Sequence, residues 1–264
     1  MDVSLAATAV ALLAVGLASA VLVAAQALFV VRTVPTLAPA SGAKHGVAAA
    51  PSGGAGGVLR LLAVGDSVVE GTGIVGTHVD AFTGHVARAL AASQGAEVRW
   101  ACAGRAGSTA STVRTGLMEQ AVAARDSLGG PVDVLALSVG VNDAIRGSTT
   151  FEFKQSLRAL LTDLRALCPD ATIVLSAEPP VRLFPALPFP LSLVLGWRAS
   201  RVFGAGAEVT RDTPGAAYAG DLSAEVARAG GAPAELFLAD GFHPGPRILA
   251  VLGGAIAARY AEAA

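Results

Sequence analysis

Hydrophobic residues are distributed along this chain in sharply different ways. From Val3 to Val31 they run almost unbroken, without a charge and with Ser4, Thr8, Ser19 and Gln26 as the clearly polar exceptions. Over residues 33–57 (TVPTLAPASGAKHGVAAAPSGGAGG) large apolar side chains nearly vanish. Beyond Val58, short apolar runs alternate with helical stripes. VLRLLAV (58–64), VRWACA (98–103), VDVLALSV (132–139) and TIVLSA (172–177) have the length and β-branched content of strands buried on both faces of a parallel sheet. Phe82, Val86, Ala89 and Leu90 recur at helical spacing; so do Phe153, Leu157, Leu160, Leu161 and Leu164, a stripe that Pro169 closes. The alternation predicts right-handed βαβ units in an α/β fold, a three-layer α/β/α sandwich on a mainly parallel central sheet. In such a sheet, ligands sit beyond the carboxyl ends of the strands.

The first apolar stretch, taken as residues 1–32, reads as a single-pass membrane anchor. At about 1.5 Å per residue the uncharged run from Val3 to Val31 alone reaches roughly 40 Å, more than a hydrocarbon core of about 30 Å needs. A cleavable signal peptide is the rival reading, because Ala18-Ser19-Ala20 has the small-x-small form of a cleavage site. Against it, no Lys or Arg precedes the apolar run, which continues well past that site. Arg32 and Lys44 follow the span while Asp2 precedes it, so the positive-inside rule favours a cytoplasmic carboxy-terminal domain over an extracytoplasmic one. Residues 33–57 have the composition of a flexible Pro/Gly/Ala tether, and the folded domain is expected over 58–264.

Composition narrows the function. A net charge of -1 leaves no basic excess for nucleic acid, and two Trp and two Tyr offer little to stack on bases. Cys102 and Cys168 fit no zinc spacing and read as small buried hydrophobes. No metal or organic cofactor is called for.

The segment LLAVGDSVVEGTGIVG (61–76) holds two candidate chemistries. Gly71-Thr72-Gly73-Ile74-Val75-Gly76 matches the spacing of a dinucleotide-binding turn. Yet the first glycine comes well after the strand, no Lys follows, and the acidic residue expected about 20 positions on, Glu97, lies at the wrong end of the second strand. The other reading puts Ser67 at the strand-to-helix turn, where its hydroxyl projects over the sheet edge and its own N–H can donate to an oxyanion. A serine nucleophile needs a base, and the base needs an orienting carboxylate. His45 is in the tether, and His78 and His85 flank or enter the first helix. His243 alone has an aspartate, Asp240, three residues before it in a Gly- and Pro-bounded turn. Gly104, the Gly140-Val141-Asn142-Asp143 turn and the Asp240–His243 turn each follow an apolar run, the last of them LFLA.

The blocks GDSVVEGTG, GVND and DGFH resemble those of the SGNH, or GDSL, hydrolase family, whose four namesake residues correspond to Ser67, Gly104, Asn142 and His243. The resemblance spans Gly65 to His243. It implies a flavodoxin-like sandwich and a Ser67–His243–Asp240 triad. The oxyanion hole it implies consists of the Ser67 and Gly104 N–H groups and the Asn142 amide. The second block, ACAGRAGST, departs from the pattern: Cys102 stands where an asparagine is often found. The amino-terminal stretch, the tether and a later Pro-rich segment resemble a group of bacterial membrane-anchored lipases or esterases.

That Pro-rich segment, VRLFPALPFPLSLVLGW (181–197), supplies Phe184, Leu187, Phe189 and Leu191 as candidate acyl-binding residues; its prolines predict a loop and a short helix. Core packing at the sheet edge is the equally weighted alternative. The expected activity is hydrolysis of carboxylic, including lipid, esters. An O-acetyl-carbohydrate deacetylase, an acyltransferase using the same site, and a non-catalytic lipid-binding membrane module are the alternatives. The oligomeric state is not legible.

Overall fold

The computed structural model describes residues 3–51 and 56–263. Helix α1 (Val3–Thr33) is followed by strand β1 (His45–Ala48) and by β2 (Val58–Gly65), α2 (Ser67–Glu70), α3 (Phe82–Gln94) and β3 (Glu97–Gly104). Next come α4 (Ala110–Gly116), α5 (Met118–Ser127), β4 (Val134–Ser138), α6 (Val141–Ile145), α7 (Thr150–Leu167) and β5 (Thr172–Leu175). A 3-10 turn (Val181–Leu183), α8 (Leu191–Arg211), β6 (Ala216–Tyr218), α9 (Ser223–Ala229), α10 (Pro233–Leu236) and α11 (Pro246–Ala263) complete the chain.

The strands form one sheet in the order β1-β3-β2-β4-β5-β6. β1 pairs antiparallel with β3 and all other neighbours are parallel. Counted by themselves, the parallel strands run 2-1-3-4-5, the doubly wound order whose switch point lies between the first and third. Here that point is the gap between the carboxyl ends of β2 and β4. The central strands are apolar apart from Arg60 and Ser138 because helices cover both faces: β4 is buried at every position and β2 from Leu61 onward. Helix α7 buries its predicted stripe of Phe153, Leu157, Leu160, Leu161 and Leu164, and Thr149 and Glu152 form a capping box at its start. Each of those side chains contributes roughly 1.5–3 kcal/mol by leaving water. Cys102 and Cys168 are free and buried, and burial pushes both thiols up to about 11.

Several elements differ from the sequence expectations. Residues 37–48, expected within a flexible tether, are docked: β1 pairs with β3, Gly73 N–H donates to Ala38 O (2.7 Å) and Ala40 N–H to Gly71 O (3.0 Å). Small side chains, which weaken any local signal, are what allows this close approach. A Cβ on Gly71 would lie 2.7 Å from the Ala40 Cβ, and one on Gly73 would lie 2.5 Å from Leu37 Cδ1. The helix expected to be short after the prolines is α8, of 21 residues. Pro190 sits at its N-cap, outside the run that needs N–H donors, so the prolines delay the helix without shortening it. The run LFLA is not a sheet strand; it joins the end of α10 to a loop tied by an isolated bridge between Phe237 and Pro244. The amino-terminal segment, by contrast, is the expected apolar helix: Leu12–Thr33 within α1 is long and apolar enough to cross a membrane, a property that a signal sequence shares.

Candidate active site

The site is built at the switch point. Gly65 closes β2 against β4 so tightly that a Cβ there would lie 2.2 Å from the Ser138 carbonyl oxygen. Asp66 follows as the N-cap of α2: its Oδ1 accepts from the Val68 N–H (3.1 Å) and from Ser138 Oγ (3.1 Å). Burial is the main influence on this carboxyl and raises it to about 6, against the lowering by those two donors. Ser67 is the first residue of α2, where a backbone N–H has no intrahelical acceptor, and its side chain is buried at the pocket wall. The short helix cannot move away from β3. A Cβ on Gly104 would stand 2.3 Å from the Glu70 nitrogen, and Glu70 Oε2 accepts from the Ala106 N–H (2.9 Å) and Thr72 Oγ1 (3.1 Å).

Across the gap, β4 ends at Ser138, and Gly140 (φ +123°) turns the chain into α6 as its N-cap. Asn142 lies in that first turn, and its Nδ2 donates one hydrogen to the Ser108 carbonyl (3.1 Å). An amide carries two, so the side chain is held in place with a second N–H to offer. The adjoining Asp143 is buried and accepts from the Ala110 N–H with both oxygens (3.3 and 3.2 Å), which fixes α4; burial raises it to about 6. Arg105 donates to the Thr112 and Gly116 carbonyls. Glu70, Asp143 and Arg105 therefore serve the scaffold.

The third contribution is the loop before α11. Gly241 (φ +64°) permits a turn in which Asp240 Oδ1 accepts from the Phe242 (2.9 Å) and His243 (3.0 Å) N–H groups. The other oxygen, Oδ2, meets His243 Nδ1 at 2.5 Å. Burial works against the charge on Asp240, but the His243 side chain and the two backbone donors outweigh it and hold the carboxyl below its ordinary value. An ionised carboxylate only accepts, so the proton of a neutral imidazole is fixed on Nδ1 and Nε2 keeps a lone pair.

Ser67, Asn142 and His243 line one pocket, with Asp240 behind the imidazole. Its remaining walls are mostly apolar, with Val139, Val141, Phe184, Phe203, Phe237, Phe242, Ile248 and Leu252 among them and Asp66, Ser138 and Ser176 the polar exceptions. Gly104 does not line the pocket; it packs beneath α2. Of the candidate acyl-binding residues, Phe184 forms wall, edge-on to Phe242 with centroids 5.1 Å apart. Leu187 and Leu191 are buried in the core outside that wall, and Phe189 is 74% exposed on the outer surface. The phosphate-turn reading of Gly71–Gly76 finds no support in the geometry: Gly71 closes the end of α2, and no helix begins there to receive an anion. Sequence reasoning missed Asp66 and its partner Ser138. An Asp between a strand and a helix is a capping signal, whereas a partner 72 residues away leaves none. Also missed were the pocket walls from Phe203, Phe237, Ile248 and Leu252.

Comparison with known proteins follows the same lines. No curated protein matches the chain. Among solved structures, the acetylxylan esterase Axe2 of Geobacillus stearothermophilus superposes with a TM-score of 0.52 at 19% identity, over 78% of this chain and 96% of that one. Phospholipase A1 of Streptomyces albidoflavus gives 0.52 at 16% identity, over 78% and 99%. The extracellular lipase of Streptomyces rimosus gives 0.50 at 17%, over 78% and 100%. At such identities the likeness speaks for the fold. The profile of the GDSL-like Lipase/Acylhydrolase family matches residues 63–248, which takes in Ser67, Gly104, Asn142, Asp240 and His243. With more than half of its length matched, the chain belongs to the GDSL-like lipase/acylhydrolase family.

Proposed function

We propose that this protein is a membrane-anchored serine ester hydrolase that works through an acyl-enzyme on Ser67. Family membership supports acyl-ester hydrolysis as the class of reaction. The observation that carries the finer reading is the 2.5 Å pair between His243 Nδ1 and Asp240 Oδ2, beside a pocket that Ser67 and Asn142 share with the imidazole.

The reaction follows from the protonation pattern. With Nδ1–H directed to Asp240, His243 Nε2 takes the proton of Ser67 Oγ as the oxygen attacks the ester carbonyl carbon. The carbonyl oxygen gains the charge. Donors from the Ser67 N–H, the Gly104 N–H and the free Asn142 Nδ2–H stabilise it, of which Ser67 and Asn142 border the pocket directly. The C–O bond to the leaving group breaks, and the imidazolium gives its proton to the departing alkoxide. Water then attacks the acyl-serine with His243 again as base, which releases the acid and restores Ser67. No step draws on a metal or cofactor.

The aromatic and aliphatic walls suit an apolar acyl group, with Phe184 one of its contacts. In this reading residues 1–32 form the anchor, 33–57 a connection that is docked for part of its length, and 58–264 the catalytic domain. Which side of the membrane the domain occupies is a matter for reporter fusions at each terminus. The activity is tested by hydrolysis of p-nitrophenyl esters of graded chain length by the full chain in detergent, beside Ser67→Ala. Ser67-dependent turnover that extends beyond two-carbon acyl groups is the expected result. Turnover that appears only when a sugar or alcohol acceptor is added would replace hydrolysis by transfer, and equal rates in both proteins would remove the reading.

A further inference from the structure

Helix α1 is longer than a membrane span requires, and the excess is accounted for by its packing. Its 31 residues reach roughly 46 Å at about 1.5 Å each, whereas about 20 residues cross the hydrocarbon core. Length alone does not say which end is in excess. The packing does: Val23, Gln26, Ala27 and Val30, a single helical stripe, are partly buried against the domain. A segment packed on a water-soluble fold lies outside the hydrocarbon, so the span takes the residues up to about Leu22, and Val23–Thr33 rests at the interface. The opposite side of that segment remains apolar and open, with Leu28 48%, Phe29 61% and Val31 79% exposed.

The joint between α1 and the domain is specific. Gln26 Nε2 donates to the Phe189 carbonyl (2.7 Å), and Gln26 Oε1 accepts from the Leu191 N–H (3.1 Å). Leu191 is the first residue of α8, whose own N-cap, Pro190, has no side chain to offer. The anchor thus caps the helix whose inner face gives Phe203 to the pocket. Beside this joint, Phe189, Leu193, Val194 and Trp197 are large, apolar and exposed. Arg201 stacks 5.4 Å from the Trp197 ring centroid. No acidic residue occurs between Glu178 and Glu208. Arg182 and Arg201 have no ion-pair partner among the described residues.

We infer that the outer face formed by Phe189, Leu193, Val194 and Trp197 seats the domain on the surface of the bilayer its own anchor crosses. The apolar side chains enter the acyl boundary, and Arg182 and Arg201 lie at the level of anionic headgroups. This rests on the anchored-hydrolase reading and deepens it: the 179–203 segment that supplies Pro179, Phe184 and Phe203 to the pocket also meets the lipid, so amphiphilic esters reach the site from the membrane without crossing water.

Trp197 is a built-in reporter, because the only other tryptophan, Trp100, is buried in the sheet at 1% exposure. The full chain is reconstituted into vesicles of dibrominated phosphatidylcholine with phosphatidylglycerol, and its emission is compared with that in the unbrominated lipids. Quenching that disappears in Trp197→Phe is expected, together with weaker quenching in Leu193→Ser/Val194→Ser. Emission no more quenched than that of Trp197→Phe overturns the seating. Alkaline extraction of the same vesicles reports the anchor separately: a chain that stays bound with Trp197 unquenched defeats the seating alone, and a released chain defeats both. Loss of Ser67-dependent ester hydrolysis with quenching intact would refute the proposed activity and leave the membrane face standing. In the intact case, Leu193→Ser/Val194→Ser lowers turnover of a vesicle-embedded long-chain ester and spares a soluble short-chain one. An equal effect on both substrates counts against delivery from the membrane.

Discussion

Replacing Asp240 by Asn separates the carboxylate's role in holding the loop from its role in catalysis. Asp240 accepts three hydrogen bonds, two from the Phe242 and His243 backbone and one from the His243 ring. The asparagine Oδ1 can keep the backbone pair. Its amide N–H₂, facing Nδ1, cannot accept. The ring proton is then driven to Nε2, where it faces Ser67 as a donor, and the base is lost. Removing one charge-assisted hydrogen bond costs on the order of 1.5–3 kcal/mol of stability, whereas the wrong tautomer costs turnover on the order of 10⁴-fold. Asp240→Ala, which also strands two partly buried N–H groups, should unfold more easily than Asp240→Asn at similar residual activity. The acid limb gives a second readout. Asp240 is held below its ordinary value, so its stabilising contribution is present at neutral pH and is lost as pH falls through the folded-state value. That acid loss should shrink in Asp240→Asn. The assays are kcat on a p-nitrophenyl ester and urea unfolding across pH. An Asp240→Asn enzyme within about tenfold of the parent in kcat would refute the assigned tautomer, since a wrong tautomer costs far more.

Further outcomes follow from the same geometry. Asn142→Ala should lower kcat by on the order of 10²–10³-fold, with KM little changed, in steady-state kinetics; unchanged turnover would remove Asn142 from the oxyanion hole. Gly104→Ala introduces a Cβ 2.3 Å from the Glu70 nitrogen, and backbone in that position cannot yield, so a loss of about 1–3 kcal/mol is expected in thermal or urea melts. Burial raises Asp66 to about 6 from 3.8, so its contribution is full at low pH and is lost as pH rises through that value. Asp66→Asn should therefore remove a decline on the order of 2–3 kcal/mol between acid and mildly alkaline pH, measured by urea unfolding, while Asp143 leaves a residual decline of the same sign.

The parallel sheet was legible because its strands are buried on both faces: 58–64, 98–103, 132–139 and 172–177 correspond to β2, β3, β4 and β5. The candidate-site positions were legible for a related reason, since Ser67 and Asn142 each come within three residues of the end of such a run and Asp240–His243 is a self-contained loop. What could not be read depends on partners distant in sequence. β1 consists of HGVA, too small and too short to signal a strand, and takes its register from β3. The length of α8 is set by a start after Pro190 and a cap supplied by Gln26, 165 residues away. Phe184 and Phe189 belong to one Pro-rich segment, yet the first enters the pocket wall and the second faces outward, a division that alternation along a loop does not encode.

The central claim is that Ser67 carries the acyl group. Its most direct test is labelling of the full chain with a fluorophosphonate, with mass-spectrometric assignment of the modified residue and p-nitrophenyl ester turnover measured in parallel. The account expects phosphonylation at Ser67 alone, with turnover lost in step; Ser67→Ala should be unlabelled and lower in kcat by about 10⁴-fold or more, with its urea midpoint unchanged. Label on another residue, or equal turnover by the two proteins, would contradict it.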